Sequence, residues 1–279
     1  MFKTVGLIAS YNKKQALKLI EEIAETLKQN GLKVYIEETL EGIVTSKEEF
    51  VPLEKMKTDF LITIGGDGTI LRTCLNIPKP EPPILAINMG SRGFLTEVEP
   101  KNTNEAIKRV LKGDFKIEKC TKLSVSTDEE TMPDALNDVV IAAGEPSKIV
   151  HIQICKNEKP ILKCQADGII IATQTGSTGY SLSAGGPVLD PAIEAFVITP
   201  ICSLTVFRSL VFPADSTITF NISRPDETLV LIDGNYRKLV NSKEQKLKVT
   251  VSKNVTSFIR FETDFYNRLR SRLLFKGTE

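Results

Sequence analysis

Three apolar runs constrain this chain most: Thr4–Ala9 (TVGLIA), Asp59–Ile64 (DFLITI) and Ile84–Asn88 (ILAIN). Each is apolar nearly throughout instead of alternating with polar residues. That is the pattern of a strand buried on both faces of a parallel sheet. Between the first two, Lys14–Asn30 carries Ala16, Leu17, Ile20, Ile23, Ala24 and Leu27 at helical spacing, and Gly31 stands where a helix stop belongs. Lys33–Glu37 (KVYIE) predicts another strand, and Thr103–Lys112 a short helix ending at Gly113. Strands alternating with helices predict a parallel sheet covered on both faces, with ligands at the carboxyl ends of its strands.

After Phe115 the pattern changes. Leu136–Ala142, Ile149–Cys155, Gly168–Thr173, Thr217–Ile222, Leu229–Asp233 and Leu247–Ser252 are short β-type runs with turn residues between them. Asp264–Phe275 returns to helical spacing through Phe265, Leu269, Leu273 and Leu274, with Arg268, Arg270 and Arg272 expected on a solvated face. At roughly 150 residues per domain, the 279 residues suggest two domains. The expected division is an α/β domain over 1–114, a mostly β domain over 115–260, and a helical segment over 261–279 packing back on the first domain.

Composition narrows the function. Lys plus Arg number 36 and Asp plus Glu 35, so no overall basic field is available for nucleic acid. No segment approaches the ~18 apolar residues of a membrane span or resembles a signal peptide. The five cysteines, at 74, 120, 155, 164 and 202, form no CxxC pair. With one histidine they cannot supply a structural zinc pattern, and the thiol usage fits a reduced, cytoplasmic compartment. That histidine, His151, lies in IVHIQI, which reads as a strand and makes it a structural residue rather than a triad member.

Three loops carry the chemistry. Gly65-Gly66-Asp67-Gly68-Thr69 follows DFLITI and precedes a helix start at ILRTC. Its glycines are expected to supply positive φ for a sharp turn and to let the main chain approach a phosphate at the helix N-terminus. It is neither a Walker A loop nor GxGxxG. Asp67 among such amides would hold a phosphate-bridging metal, accept a proton from an attacking hydroxyl, or cap the helix. The second loop, Asp167–Pro187 (DGIIIATQTGSTGYSLSAGGP), presents seven hydroxyl side chains between Thr173 and Ser183, able to bond phosphates and sugars without net charge. The third, Asn88–Glu97 (NMGSRGFLTE), contains Phe94, either a base-stacking ring or a core residue. Asn137-Asp138, in LNDVVIA, could grip a ribose diol or form a turn.

These pieces, in this order, resemble the signature blocks of the NAD kinase family. ITPICSLTVFRSLVFP at 198–213 and Asp233-Gly234 resemble its later blocks. The likeness runs from about residue 4 to 260. GGDG is shared with diacylglycerol and sphingosine kinases, whereas TGSTGYSLSAGGP is far more specific. The resemblance implies phosphoryl transfer from ATP or polyphosphate to the 2′-hydroxyl of the adenosine ribose of NAD, giving NADP. It implies Mg2+ or another divalent metal, and a homodimer or homotetramer. It implies Asp67 as the proton acceptor. Gly65, Gly66, Gly68, Thr69 and Arg72 would lie at the phosphates. Asp67, Gly68, Phe94, Asn137, Asp138, Asp167, Thr178, Gly179, Tyr180 and Ser183 would bind NAD. Departures are Asp138 for the usual Glu, Gly179 for the usual Ala, Ser203-Leu204 where a His is often found, and Ser91-Arg92 in the third loop. A GGDGT-type lipid kinase and a non-catalytic NAD(P)-binding regulator are the alternative readings. No nucleic-acid or membrane partner is expected.

Overall fold

The computed structural model describes residues 2–90, 93–145, 148–241, 246–261 and 265–270. Two units emerge: Met1–Cys120 with Thr256–Glu279, and Thr121–Val255.

The first unit begins with β1 (Thr4–Ala9), α1 (Lys14–Gln29), β2 (Lys33–Glu37), β3 (Glu49–Val51), β4 (Phe60–Gly65), α2 (Asp67–Asn76), β5 (Ile84–Asn88) and α3 (Thr103–Lys112). All five strands run parallel in the order β3-β2-β1-β4-β5. The fully apolar runs occupy the centre, where burial is complete. Edge strand β3 is short and partly exposed, which limits open pairing to another chain. α1 buries Ala16, Ile20, Ile23, Ala24 and Leu27 on one face, the face its sequence spacing predicts. Together with Ala106, Ile107 and Val110 of α3 and with Val5, Leu7, Ile62, Ile64 and Leu85 of the sheet, they form the main core of this unit. Both helix stops are left-handed, Gly31 at φ +82° and Gly113 at φ +76°.

Two strands carry the chain between the units, β6 (Lys116–Ser126) and β16 (Leu247–Arg260). At its end β16 joins the first sheet, where Phe258 lies opposite Ile84 in parallel register. The short α5 (Phe265–Leu269) follows. The helical reading over Asp264 and 271–275 falls outside the described residues.

The second unit is antiparallel. Its strands are β7 (Asp138–Ala143), β8 (Val150–Lys156), β9 (Lys159–Ala166), β10 (Gly168–Ala172), β11 (Ala195–Ile201), β12 (Leu210–Pro213), β13 (Ile218–Arg224), β14 (Glu227–Ile232) and β15 (Tyr236–Asn241). One helical turn, α4 (Tyr180–Ser183), interrupts them. Six strands order as β12-β11-β10-β7-β14-β15. β13 pairs with β16 on one side and β8 on the other, and β8 pairs with β9. Val140, Ile170, Ala172, Leu189 and Val197 form a buried cluster under the first of these sheets. The strand runs read from the sequence are present, shifted by a residue or two at their ends. β16 extends eight residues beyond Ser252 because its second half enters the other unit.

Candidate functional site

In the first unit the strand order reverses between β1 and β4, since β2 and β3 lie on one side of β1 and β4 and β5 on the other. Ligands of open parallel sheets settle at such a reversal, outside the carboxyl ends of the strands. The loop at 65–69 leaves β4 at that point. Three exits are tied together there. Ser10 N–H donates to the Ile64 carbonyl at 2.9 Å, Met89 N–H donates to the Gly65 carbonyl at 2.8 Å, and Lys13 Nζ donates to the Met89 carbonyl at 2.7 Å.

The loop glycines do not act through positive φ. Gly65, Gly66 and Gly68 are all outside the left-handed region, and Gly66 is extended at φ −107°. The turn is made by an extended residue running directly into α2, so the expected conformational role is corrected to one of space. A Cβ on Gly65 would collide with the Thr69 side chain, while Gly66 and Gly68 face open space and leave the main chain approachable. Asp67 is the first residue of α2, where negative charge suits the helix N-terminus. Its carboxylate binds the third loop: Oδ2 accepts the Phe94 N–H at 2.8 Å and Oδ1 the Leu95 N–H at 3.2 Å. Phe94 itself is half-buried. The next peptide is also held, because Arg260 Nη1 donates to the Leu95 carbonyl at 2.8 Å. Arg260 is 2% exposed and pairs with Glu97 and Glu118. Ser91 and Arg92 of this loop fall outside the described residues.

Arg72 lies on α2, where both terminal nitrogens of its guanidinium bind Glu37, a buried carboxylate at the end of β2. Arg268 departs from its expected solvated face: its side chain is 16% exposed and lies with Glu97 and Glu118.

In the second unit, Thr173–Ser183 is a built loop. Four of its seven hydroxyls, those of Thr173, Ser177, Thr178 and Ser181, are buried. The Thr173 hydroxyl donates to the Leu136 carbonyl at 2.7 Å, Ser177 Oγ to the Gln174 carbonyl at 2.6 Å and Thr178 Oγ1 to the Thr175 carbonyl at 3.1 Å. Ser181 Oγ lies 2.9 Å from Thr199 Oγ1. Three of these hydroxyls bond main-chain carbonyls and the fourth bonds the Thr199 hydroxyl, which corrects the picture of a uniformly ligand-facing hydroxyl surface. Thr175, Gly179, Tyr180 and Ser183 are at least partly exposed, as is Asp167 at the start of β10.

The same loop meets Asn137. Thr173 N–H donates to the Asn137 carbonyl at 2.9 Å, and Gly176 packs so closely on that carbonyl that a Cβ would collide with it. Asp138 is buried beside Asp233. Burial, reinforced by the Asp233 charge, pushes its carboxyl up to about 7. Burial also raises Asp233, against the opposing pull of three main-chain N–H donors and of Lys122. Lys122 is fully buried.

Asn137, Asp138 and Thr178 are therefore brought into one loop assembly with Asp233. Gly65–Thr69, Arg72 and Phe94 form the other assembly, in the first unit. Asp233-Gly234 is noted in the sequence only as resembling a later block of the family, and Asp233 is not among the expected site residues. An Asp-Gly directly after a strand was the available signal. Glu37, Lys13, Lys122 and Arg260 carried no signal of their own. Among the described residues, no group of three or more His, Cys, Asp or Glu side chains could hold a metal ion, and no helix is long and apolar enough to cross a membrane.

Residues 5–115 match the family model described as the ATP-NAD kinase N-terminal domain, and residues 136–261 match the ATP-NAD kinase C-terminal domain. The chain is 40% identical over 278 residues to NAD kinase of Methanothermobacter thermautotrophicus, covering 99% of this chain and 98% of that protein. It is 41% identical to NAD kinase of Thermococcus gammatolerans over 273 residues, covering 96% and 98%. The structure of an NAD kinase from Archaeoglobus fulgidus in complex with ATP superposes with a TM-score of 0.78 at 27% identity, covering 96% of this chain and 99% of that one. Yeast NADH kinase complexed with NADH shares the fold, with a TM-score of 0.88 at 24% identity over 99% of this chain and 89% of that one.

Proposed function

From its membership of the NAD kinase family, to which this chain belongs, we infer the residues with which it carries out that family's phosphoryl transfer to NAD. ATP, or polyphosphate, gives its terminal phosphoryl group to the 2′-hydroxyl of the adenosine ribose of NAD, forming NADP. Gly65, Gly66, Gly68 and Thr69 receive the phosphates, with Arg72 contributing charge. The observation that carries this reading is the open main chain at Gly66 and Gly68, at the N-terminus of α2 and at the strand-order reversal. Lys13 at the same strand ends adds a cation.

A ribose hydroxyl is a weak nucleophile, so positioning and charge neutralisation do most of the work in a loose transition state. Asp67 accepts the proton of the 2′-hydroxyl. Its two oxygens accept the Phe94 and Leu95 N–H groups, which fix the orientation of the carboxylate. Asp67, Gly68, Phe94, Asn137, Asp138, Asp167, Thr178, Gly179, Tyr180 and Ser183 bind the dinucleotide. The clamped main chain of Asn137 supports its place in that set.

The described residues do not form a cage for the divalent ion that belongs to this reading. Magnesium held by substrate phosphates and waters needs none. A homodimer or homotetramer is part of the same reading, supported by the exposed apolar side chains of Leu204 and Val206 after β11. A cytoplasmic location suits five cysteines without a CxxC pair.

The test incubates the purified protein with NAD, magnesium and either ATP or polyphosphate, and reads NADP with an NADP-specific dehydrogenase. Donor-dependent NADP names the donor. Tight NAD binding without product from either donor contradicts the catalytic reading.

A further inference from the structure

Asp233 begins the turn after β14 in a left-handed conformation, φ +49°, at 4% exposure. Three main-chain donors converge on its carboxylate. Oδ2 accepts the Leu136 N–H at 2.8 Å, and Oδ1 accepts those of Asn137 at 2.8 Å and Asp138 at 3.0 Å. Its own N–H donates to the Asp138 carbonyl at 3.0 Å. Thr173 grips the opposite side of the segment, through the Leu136 carbonyl at 2.7 Å and the Asn137 carbonyl at 2.9 Å. Both main-chain polar groups of Asn137 are therefore engaged. Its side-chain Oδ1, by contrast, is buried with no hydrogen-bond partner among the described residues. A buried acceptor without a donor is costly and uncommon, and at a clamped position it is an acceptor held ready for a ligand.

We propose that Asp233 is a positioning residue for the acceptor substrate: its carboxylate fixes Leu136–Asp138 so that Asn137 Oδ1 meets an N–H or O–H donor of NAD. This rests on the reading that Asn137 binds NAD. Only a carboxylate suits the arrangement, because both oxygens must accept. An asparagine amide would turn an NH2 group toward one of the three N–H donors. Burial raises the Asp233 carboxyl, and the three main-chain N–H donors and the buried Lys122 oppose that rise. None of the three main-chain donors depends on the phosphate loop, so the effect falls on one substrate.

The experiment is steady-state kinetics on the full chain with Asp233→Asn, Asn137→Ala and the double variant. Asp233→Asn is expected to raise KM for NAD by about tenfold while KM for ATP stays within about twofold. Because Asp233 acts through Asn137, the double variant is expected to be no worse for NAD than Asn137→Ala alone. Multiplicative losses in the double variant, or equal rises in both KM values, overturn the proposal. If Asn137→Ala raises KM for NAD and Asp233→Asn does not, the positioning role falls and the binding reading stands. If Asn137→Ala leaves KM for NAD unchanged, the binding reading falls and takes the proposal with it. Should Asp233→Asn not fold, Thr173→Val loosens the opposite clamp and is held to the same split between the two KM values.

Discussion

Glu37 and Arg72 form a two-pronged ion pair between the end of β2 and the first turns of α2. The carboxylate is 1% exposed and the guanidinium side chain 27%. The pair binds the helix that begins with Asp67 to the sheet beneath it. Removing the arginine strands a buried carboxylate, which typically costs 3–5 kcal/mol, roughly the value expected for Arg72→Ala in urea unfolding. A loss below about 1 kcal/mol would contradict the pairing. Glu37→Gln combined with Arg72→Met removes both charges and is expected to lose much less than the single variant.

Gly176 offers a test by space alone. Its Cα faces the Asn137 carbonyl so closely that the methyl of Gly176→Ala forces the loop or the Asn137 strand to move. Overpacking of this kind costs about 1–3 kcal/mol. The expected outcome is a lowered Tm together with weaker NAD binding by calorimetry. An alanine variant with unchanged NAD affinity would contradict the packing of this loop on Asn137.

Asp138 makes stability depend on pH in a defined direction. Its carboxyl rises from 3.8 to about 7 on folding, through burial first and the Asp233 charge second. The native state then holds a proton that the unfolded chain releases. The corresponding stability is fully present below pH 3.8 and is lost as pH rises through about 7. Across that window the slope approaches ~1.4 kcal/mol per pH unit. Asp138→Asn lacks this slope, so the stability of the unmodified protein relative to the variant is expected to fall as pH rises from 4 to 7. Parallel denaturation curves over that range would contradict the shift.

The parallel sheet was legible because its central strands are buried on both faces, which leaves runs such as DFLITI and ILAIN apolar nearly throughout. Gly31 and Gly113 were legible as helix stops because positive φ selects glycine. Strands β9, β12 and β15 escaped notice for the opposite reason. Each lies at a sheet edge, and KPILKCQA and YRKLVN keep many side chains in solvent, which blurs the alternation. The glycine loops were visible as composition, but their mechanics were not. Whether a glycine serves φ or space depends on what stands opposite, as with Gly176 and the Asn137 carbonyl. Asp233 and Arg260 act on Asn137 and Leu95 across 96 and 165 residues, and no local spacing reveals such partners.

NADP formation by Asp67→Asn decides whether Asp67 takes the proton of the attacking ribose hydroxyl. The variant is assayed at saturating NAD and ATP, beside a thermal unfolding curve. The expected result is a fall in kcat of about 10²–10⁴-fold, with a cooperative unfolding transition retained. A kcat within a few-fold of the unmodified protein would contradict that role and leave Asp67 a structural one, holding Phe94 and Leu95.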